Sequence, residues 1–371
     1  MSLRSDDFLK AEDWLVWILA PFLKTNDPNL QYYYDFSQSV QEYQNVFSEL
    51  NLAWKWQSVE IQNFKSIIAA IKLESYPKTP IVINLCDGDE ANGVPGISVI
   101  DALEYYQLIY TGADRYFYDI TTSKIPMKEL FDKANVPNSP WMVLDPDTYN
   151  SNALFKNLKQ PLIVKPAISA GSLGLGLQSV VKSELELSNY LKVLQSGYKG
   201  WDLSSGGLFV EEFIEGQEYT TLIVGPSQNY NECKIYTPVE RVFENSIPST
   251  EQFLSFDRLW EIYENESPLS DDKPLWNYEK PPDHLIDEIK NISWQAYKAM
   301  HGTGYGRIDL RRNEKTGKIL VLEVNAQCGL SKDENFTSIG AILRISGSHF
   351  KDLIIEILID AFIRHQSKIK L

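Results

Sequence analysis

Residues 306–325 read GRIDLRRNEKTGKILVLEVN, two runs of alternating apolar and polar residues on either side of Lys315-Thr316-Gly317. A glycine closing a short hairpin loop suits the left-handed backbone region. A symmetric hairpin centred on Thr316 sets Asp309 opposite Glu323 and Arg307 opposite Asn325. Strand side chains alternate with period two, so all four project from one face. Two carboxylates and an amide oxygen on one face are hard oxygen ligands suited to Mg²⁺ beside a nucleotide's phosphates. Arg307 among them can stabilise developing anionic charge. The plain alternative is a solvated strand face laced with salt bridges, the commoner outcome for any one of these residues taken singly.

Working outward, Ile163-Val164-Lys165-Pro166 is an apolar strand ending in a lysine, followed by Ala170-Gly171-Ser172-Leu173-Gly174-Leu175-Gly176. Glycines there let backbone N–H groups approach an anion, as a triphosphate clamp requires. An ordinary hairpin reads equally well, and the chain has no GxxxxGK[ST] phosphate loop. Phe209-Val210-Glu211-Glu212-Phe213-Ile214 and Gly216-Gln217-Glu218-Tyr219 form an apolar strand that ends in acids. A strand of this kind with a free backbone edge can read an adenine, and a later carboxylate can accept ribose hydroxyls, although surface acids are the simpler reading.

The rest of the chain frames these motifs. From Trp14 to Gln107 apolar β-rich runs (14–20, 53–59, 80–85) alternate with helical-period segments (37–50, 61–71, 95–106), the pattern of a parallel sheet with crossover helices. Ligands in such sheets sit beyond the strand carboxyl ends, which singles out the loops 21–35 and 86–93. At about 150 residues per domain, 371 residues predict two or three units. We divide the chain at 1–113, 114–207 and 208–371. The second unit has a helix near Ser123, strands at 161–164 and 177–181 and a helix over 183–194. The third has strands at 208–212 and 219–224, a helix over 283–300, the hairpin, and a terminal helix near 349–365. The long stretch 238–282, charged and proline-rich, predicts a lid over the phosphates.

Composition narrows the class. Thirty-five basic against fifty acidic residues leave a net charge of −15, which opposes nucleic acid and anionic membranes as partners. Cys86, Cys233 and Cys328 are too scattered for a disulfide framework or a zinc site, which points to a reducing cytosol. No run reaches the roughly 20 apolar residues of a membrane span, and the acidic N-terminus does not look like a secretory signal. Four dispersed histidines, no GxSxG and no GxGxxG leave zinc hydrolase, serine hydrolase and dinucleotide readings without support. What remains is a Mg-nucleotide enzyme.

Taken in order, VKP with its Gly-rich loop, VEEFIEGQEYT, GRIDL and LEVNAQCGL resemble the ATP-grasp superfamily, and their spacing resembles its D-alanine–D-alanine ligase branch. The resemblance runs from about Ile81 to Ala361 and takes in Tyr110-Thr111-Gly112 and Ser123-Lys124. It implies an α/β ATP-grasp fold: an N-terminal parallel α/β domain and two α+β subdomains enclosing ATP. By it, Lys124 and Lys165 hold phosphates, Glu211 the adenine amino group, Glu218 the ribose, and the backbone of Glu212 and Ile214 the adenine edge. Asp309, Glu323 and Asn325 match the metal ligands, for two Mg²⁺ ions with Mn²⁺ as a substitute. Arg307 matches the arginine at the reacting centre, and Ser172 a serine that positions substrate and loop. The implied reaction is carboxylate–amine ligation through an acyl phosphate, acting on small amino-acid-like molecules in the cytoplasm, with a homodimer as an allowed assembly.

Two departures bear on the substrates. Where the branch has a Gly-rich loop with an ammonium-binding glutamate after its first strand, this chain has Ala20-Pro21-Phe22-Leu23-Lys24. After Gly329 it reads Leu-Ser-Lys-Asp-Glu-Asn-Phe rather than a small hydroxyl-bearing run that grips the second carboxylate. Asp87, Asp89 and Glu90, in the acidic loop after the third strand, are candidates to hold a substrate ammonium instead; the alternative is a helix N-terminus decorated with acids. Besides D-alanyl-D-alanine synthesis, the readings kept are ligation of another amino acid to an amino-acid-like metabolite, and a nucleotide-binding regulatory protein without turnover.

Overall fold

A computed structural model of the protein describes residues 13–26, 35–88, 90–169, 172, 174–197, 203–204, 206–256, 258, 274–335 and 337–369. Its first sheet is parallel, in the order β2-β1-β3-β4, from β1 (Trp14–Pro21), β2 (Ala53–Val59), β3 (Thr79–Asn84) and β4 (Ile109–Tyr110). Helices α1 (Ser37–Glu49), α2 (Phe64–Ser75) and α3 (Ile97–Tyr105) make the crossovers. Central β1 is buried at every position after Trp14, because helices cover both faces, and this is why it reads as an unbroken apolar run. The four strands run parallel, so their carboxyl ends lie on one edge, where Gln327 of the third unit donates to Asn84 O at the end of β3.

After α4 (Arg115–Thr122), α5 (Lys124–Lys133) and β5 (Trp141–Leu144) comes a small layer with α6 (Ser151–Asn157), β6 (Leu162–Pro166), β7 (Val180–Val181), α7 (Glu184–Gln195) and β8 (Leu208–Glu212). Its sheet runs β5-β8-β6-β7, antiparallel throughout. Two expectations change here. The strand 208–212 does not open the third unit: β8 lies between β5 and β6, with Leu208 and Val210 in a core shared with Leu144, Leu162 and Val164. The boundary therefore falls after Glu212. The run 177–181 is mostly a 3₁₀ turn, Leu177–Ser179, fixed by Ser179 N–H and Oγ donating to Gly176 O at 2.9 and 2.6 Å, and only Val180–Val181 pair with β6.

The third sheet, β12-β11-β9-β13-β14 with β10 also on β9, is built from β9 (Glu218–Val224), β10 (Lys234–Ile235), β11 (Val239–Phe243), β12 (Trp276–Glu279), β13 (Tyr305–Arg312) and β14 (Ile319–Ala326). Helices α8 (Asp283–Ala299), α9 (Ser338–Ser346) and α10 (Phe350–Ile369) complete it. The stretch 238–282 thus supplies the strand pair β11–β12, and residues 257 and 259–273, where much of the expected lid falls, lie outside the described residues.

The cores show which units belong together. Phe117, Met127 and Phe131 of α4 and α5 pack in one cluster with Leu103 and Tyr110 of the first unit and Ile308, Leu310 and Val324 of the hairpin. A second cluster joins Val16 and Ile18 of β1 to Leu353 and Ile357 of α10. Helices α4 and α5, assigned above to the middle unit, are thus part of a body made with the first and third. The small layer has a core largely its own, to which Phe256 from the 238–282 stretch also contributes. Where body parts meet, Arg364 donates to Gly112 O and Tyr110 O, both at 2.7 Å. Beside it Gly304 (φ 68°) crosses Gly112 (φ 86°) so closely that a Cβ on Gly304 would sit 2.1 Å from Gly112 O.

Candidate active site

The hairpin pairs Arg307 with Asn325 and Asp309 with Glu323, the expected register. It reaches that register differently. The tip closes between Asn313 and Lys318 around Glu314-Lys315-Thr316-Gly317, with Asn313 N–H donating to Lys318 O at 2.8 Å. The pairing then slips by one between Asp309 and Leu310, where Leu322 is the extra residue of a bulge. The longer loop and the bulge cancel, so the polar face stays in phase.

On that face Arg307 Nε and Nη2 clasp Asp309 at 3.1 and 2.8 Å, and Thr220 Oγ1 donates to Asp309 Oδ1 at 3.0 Å. Asn325 Nδ2 donates to Asp309 Oδ2 at 2.9 Å and to Glu323 Oε1 at 3.4 Å. Lys124 Nζ lies 3.5 Å from Glu323 Oε2. Burial alone would raise the Glu323 carboxyl, but Lys124, Lys165 and Arg307 outweigh it and hold it down to about 2. Burial raises Asp309, and Arg307 opposes while the nearby Glu323 charge adds to the rise. Two crowded carboxylates, one of them unfavourably ionised, suit a divalent cation. Half a turn of the Asn325 amide would put an acceptor where its nitrogen now bridges them. Among the described residues no group of three or more His, Cys, Asp or Glu side chains gathers for a metal. Mg²⁺ commonly takes only one or two protein carboxylates and completes its shell with phosphate oxygens and water, so the donor set fits.

In the small layer, Lys165 at the end of β6 pairs with Glu211 Oε1 at 2.6 Å. The other carboxylate oxygen is held by a residue that the sequence analysis missed: Lys128 Nζ, 2.5 Å from Glu211 Oε2. Lys128 and Glu211 side chains are each 1% exposed. Burial pushes the Glu211 carboxyl up and the two lysines pull it further down, so it is ionised. The available signal was spacing, since Lys128 follows Lys124 by one helical turn on α5 and so shares its face. Lys124 itself donates to Ser169 O at 2.9 Å, beside the Gly-rich loop. Ser172 stands in that loop with φ 63° and its carbonyl accepts from Leu175 N–H at 2.8 Å; residues 170, 171 and 173 lie outside the described set.

Next to this cluster is the connector 212–218, from the end of β8 to the start of β9. Glu212 N–H is spent on Pro140 O at 3.0 Å, and its carbonyl accepts from Ser139 Oγ at 2.6 Å, keeping one lone pair. Of the two backbone positions expected at an adenine edge, Ile214 offers the donor: its N–H has no acceptor among the described residues, while its carbonyl takes Arg311 Nη1 at 3.1 Å. Glu218 is buried between two arginines, with Arg311 Nη2 at 2.8 Å and Arg241 on the other oxygen. The surface-acid reading of Glu218 is therefore wrong, since its charge is fixed inside the sheet.

The acidic loop divides. Glu90 is not a free ammonium ligand. Its Oε1 accepts Gly96 N–H at 3.1 Å and Ser98 N–H at 2.7 Å, its Oε2 accepts Ser98 Oγ at 2.7 Å, and so it caps α3. Asp89 lies outside the described residues. Asp87 is exposed, and the protein around it moves its carboxyl upward from the ordinary aspartate range.

Residues 130–359 match the family model for the D-ala D-ala ligase C-terminus. The chain is 26% identical over 268 residues to a D-alanine–D-alanine ligase of Idiomarina loihiensis, covering 70% of this chain and 74% of that protein. It is 28% identical over 256 residues to one of Nitrosococcus oceani, covering 69% and 70%. Among solved structures, the D-alanine–D-alanine ligase from Bacillus anthracis complexed with ATP superposes with a TM-score of 0.66 at 16% identity, covering 96% of this chain and 99% of that one. The ligase from Coxiella burnetii gives 0.67 at 17%, covering 96% and 98%. These likenesses place the fold with the ATP-grasp ligases.

Proposed function

The chain belongs to the D-alanine–D-alanine ligase family and is an ATP-dependent, ADP-forming ligase that makes an amide bond, and we propose that the carboxylate of one amino-acid-like substrate takes the γ-phosphoryl of ATP, releasing ADP, and that the amine of another then attacks the acyl carbon and expels phosphate. The observation that carries the reading is the convergence of Arg307, Asp309, Glu323 and Asn325 with Lys124 and Lys165, whose charges act together on Glu323. Phosphoryl transfer asks mainly for positioning and charge neutralisation, and these residues supply both. Lys124 and Lys165 hold phosphate oxygens. Ile214 N–H and the spare lone pair of the Glu212 carbonyl meet the adenine edge, with Glu211 at its amino group and Glu218 at the ribose. Arg307 stabilises the oxyanion formed when the amine attacks, and Ser172 positions substrate under the Gly-rich loop. Asp309, Glu323 and Asn325 would hold Mg²⁺, two ions in this reading, which neutralises phosphate charge when bound. A homodimer in the cytosol also belongs to this reading.

One observation favours an acceptor other than D-alanine. The hydroxyl of Ser331 donates to Glu42 Oε1 at 2.9 Å and Lys332 N–H to Glu42 Oε2 at 3.1 Å, with Glu42 itself buried on α1. The donors at these two positions after Gly329 are spent on the protein and not held open for a substrate carboxylate. An ADP-release screen over pairs of amino acids and amines, with product masses, tests the proposal. ADP formed only when a carboxylate and an amine are both present, with a product heavier than either, is the expected result. Nucleotide binding with no turnover for any pair would favour the regulatory reading.

A further inference from the structure

Lys128 is the most deeply buried cation at the site, and the reaction as proposed gives it nothing to touch. It sits on α5 and belongs to the main body, whereas Glu211 and Lys165 sit on β8 and β6 of the small layer. The three form a chain, Lys128–Glu211–Lys165, with contacts of 2.5 and 2.6 Å on opposite oxygens of one carboxylate. Removing two ions from water is unfavourable, and a buried apolar pair of the same volume is often at least as stable, so the pair is weak as a stability device. Its charge count is informative instead. With Lys128 present the chain carries a net charge of +1; without it, Glu211 and Lys165 would cancel.

We propose that Lys128 is a positioning residue for the nucleotide phosphates: it takes up part of the Glu211 charge, so that Lys165 is only partly compensated and keeps positive charge for a phosphate. The inference rests on the reading of Lys165 as a phosphate lysine and adds the reason that lysine keeps its effective charge beside a buried carboxylate. The same contact spans body and small layer, so it also sets where the β6 end stands relative to Lys124 and Glu323.

The test compares ATP with adenosine, which offers the same base and ribose without phosphates, by calorimetric competition on the whole protein. Lys128→Met removes the charge at similar volume. ATP affinity is expected to fall roughly 10-fold to 100-fold, the scale of one unit charge lost several ångströms from a polyanion in a partly buried site, while adenosine affinity holds. Lys128→Arg restores most of the difference. The double variant Lys128→Met/Glu211→Gln, which frees Lys165 again, recovers the ATP-to-adenosine affinity ratio relative to the single variant; any loss at the adenine amino group weakens both ligands alike and drops out of that ratio. Should Lys128→Met fail to fold, the same ATP-to-adenosine ratio is read on Lys128→Gln. Equal weakening of both ligands, or no recovery in the double variant, overturns the proposal and leaves Lys128 a structural ion pair. Wild-type protein that binds ATP no tighter than adenosine overturns the phosphate reading itself, and the inference with it, a failure visible before any variant is made.

Discussion

At the level of single residues the sharpest claim concerns Glu323, held ionised by Lys124, Lys165 and Arg307 although buried. Glu323→Gln keeps the shape and the hydrogen bond from Asn325 and deletes one charge. Turnover is expected to fall on the order of 100-fold or more, the scale found when one charge-stabilising group is removed from a reacting centre. The Mg²⁺ concentration for half-maximal ADP release should rise alongside, with the melting temperature little changed. A magnesium titration superimposable on wild type would remove Glu323 from the metal-holding set. Sequence reasoning found this residue because its partners repeat at fixed strand spacing. It missed Lys128, whose meaning depends on Glu211, eighty-three positions away, and one chain offers no periodicity across such a gap.

Among elements, the hairpin was legible for a partly accidental reason. A symmetric turn and no bulge gave the same opposed pairs as the real, longer loop with one bulge. The strand β8 was misassigned because sequence neighbours usually pair, and its real partners, β5 and β6, come from upstream on both edges. The acidic loop before α3 shows how function and capping compete for one side chain. Three donors converge on Glu90, so Glu90→Ala is expected to cost about 1–3 kcal/mol of stability and to leave the KM of every accepted amino acid unchanged. A raised KM with an unaltered melting curve would instead assign Glu90 to substrate.

For the whole molecule, three units could be counted from the sequence, but not which of them share a core, because apolar periodicity marks buried faces without naming what covers them. Helices α4 and α5 bind the first unit to the hairpin and α10 binds β1 to the third sheet, while the β5–β8 layer has a core largely its own. Native-state hydrogen exchange should therefore show amides of β1, β3, β9 and β13 opening together at the highest free energy, while β6 and β8 open separately and earlier. Independent opening of the parallel sheet would contradict a shared core. The crossing of Gly304 over Gly112 has a consequence for descent as well as for folding. A β-carbon on Gly112 would lie 1.9 Å from Gln327 Oε1, and one on Gly304 would strike the Gly112 carbonyl. A lineage that acquires a side chain at Gly304 must first move the Gly112 backbone away, and one that acquires it at Gly112 must displace the buried Gln327 amide and hold a left-handed φ.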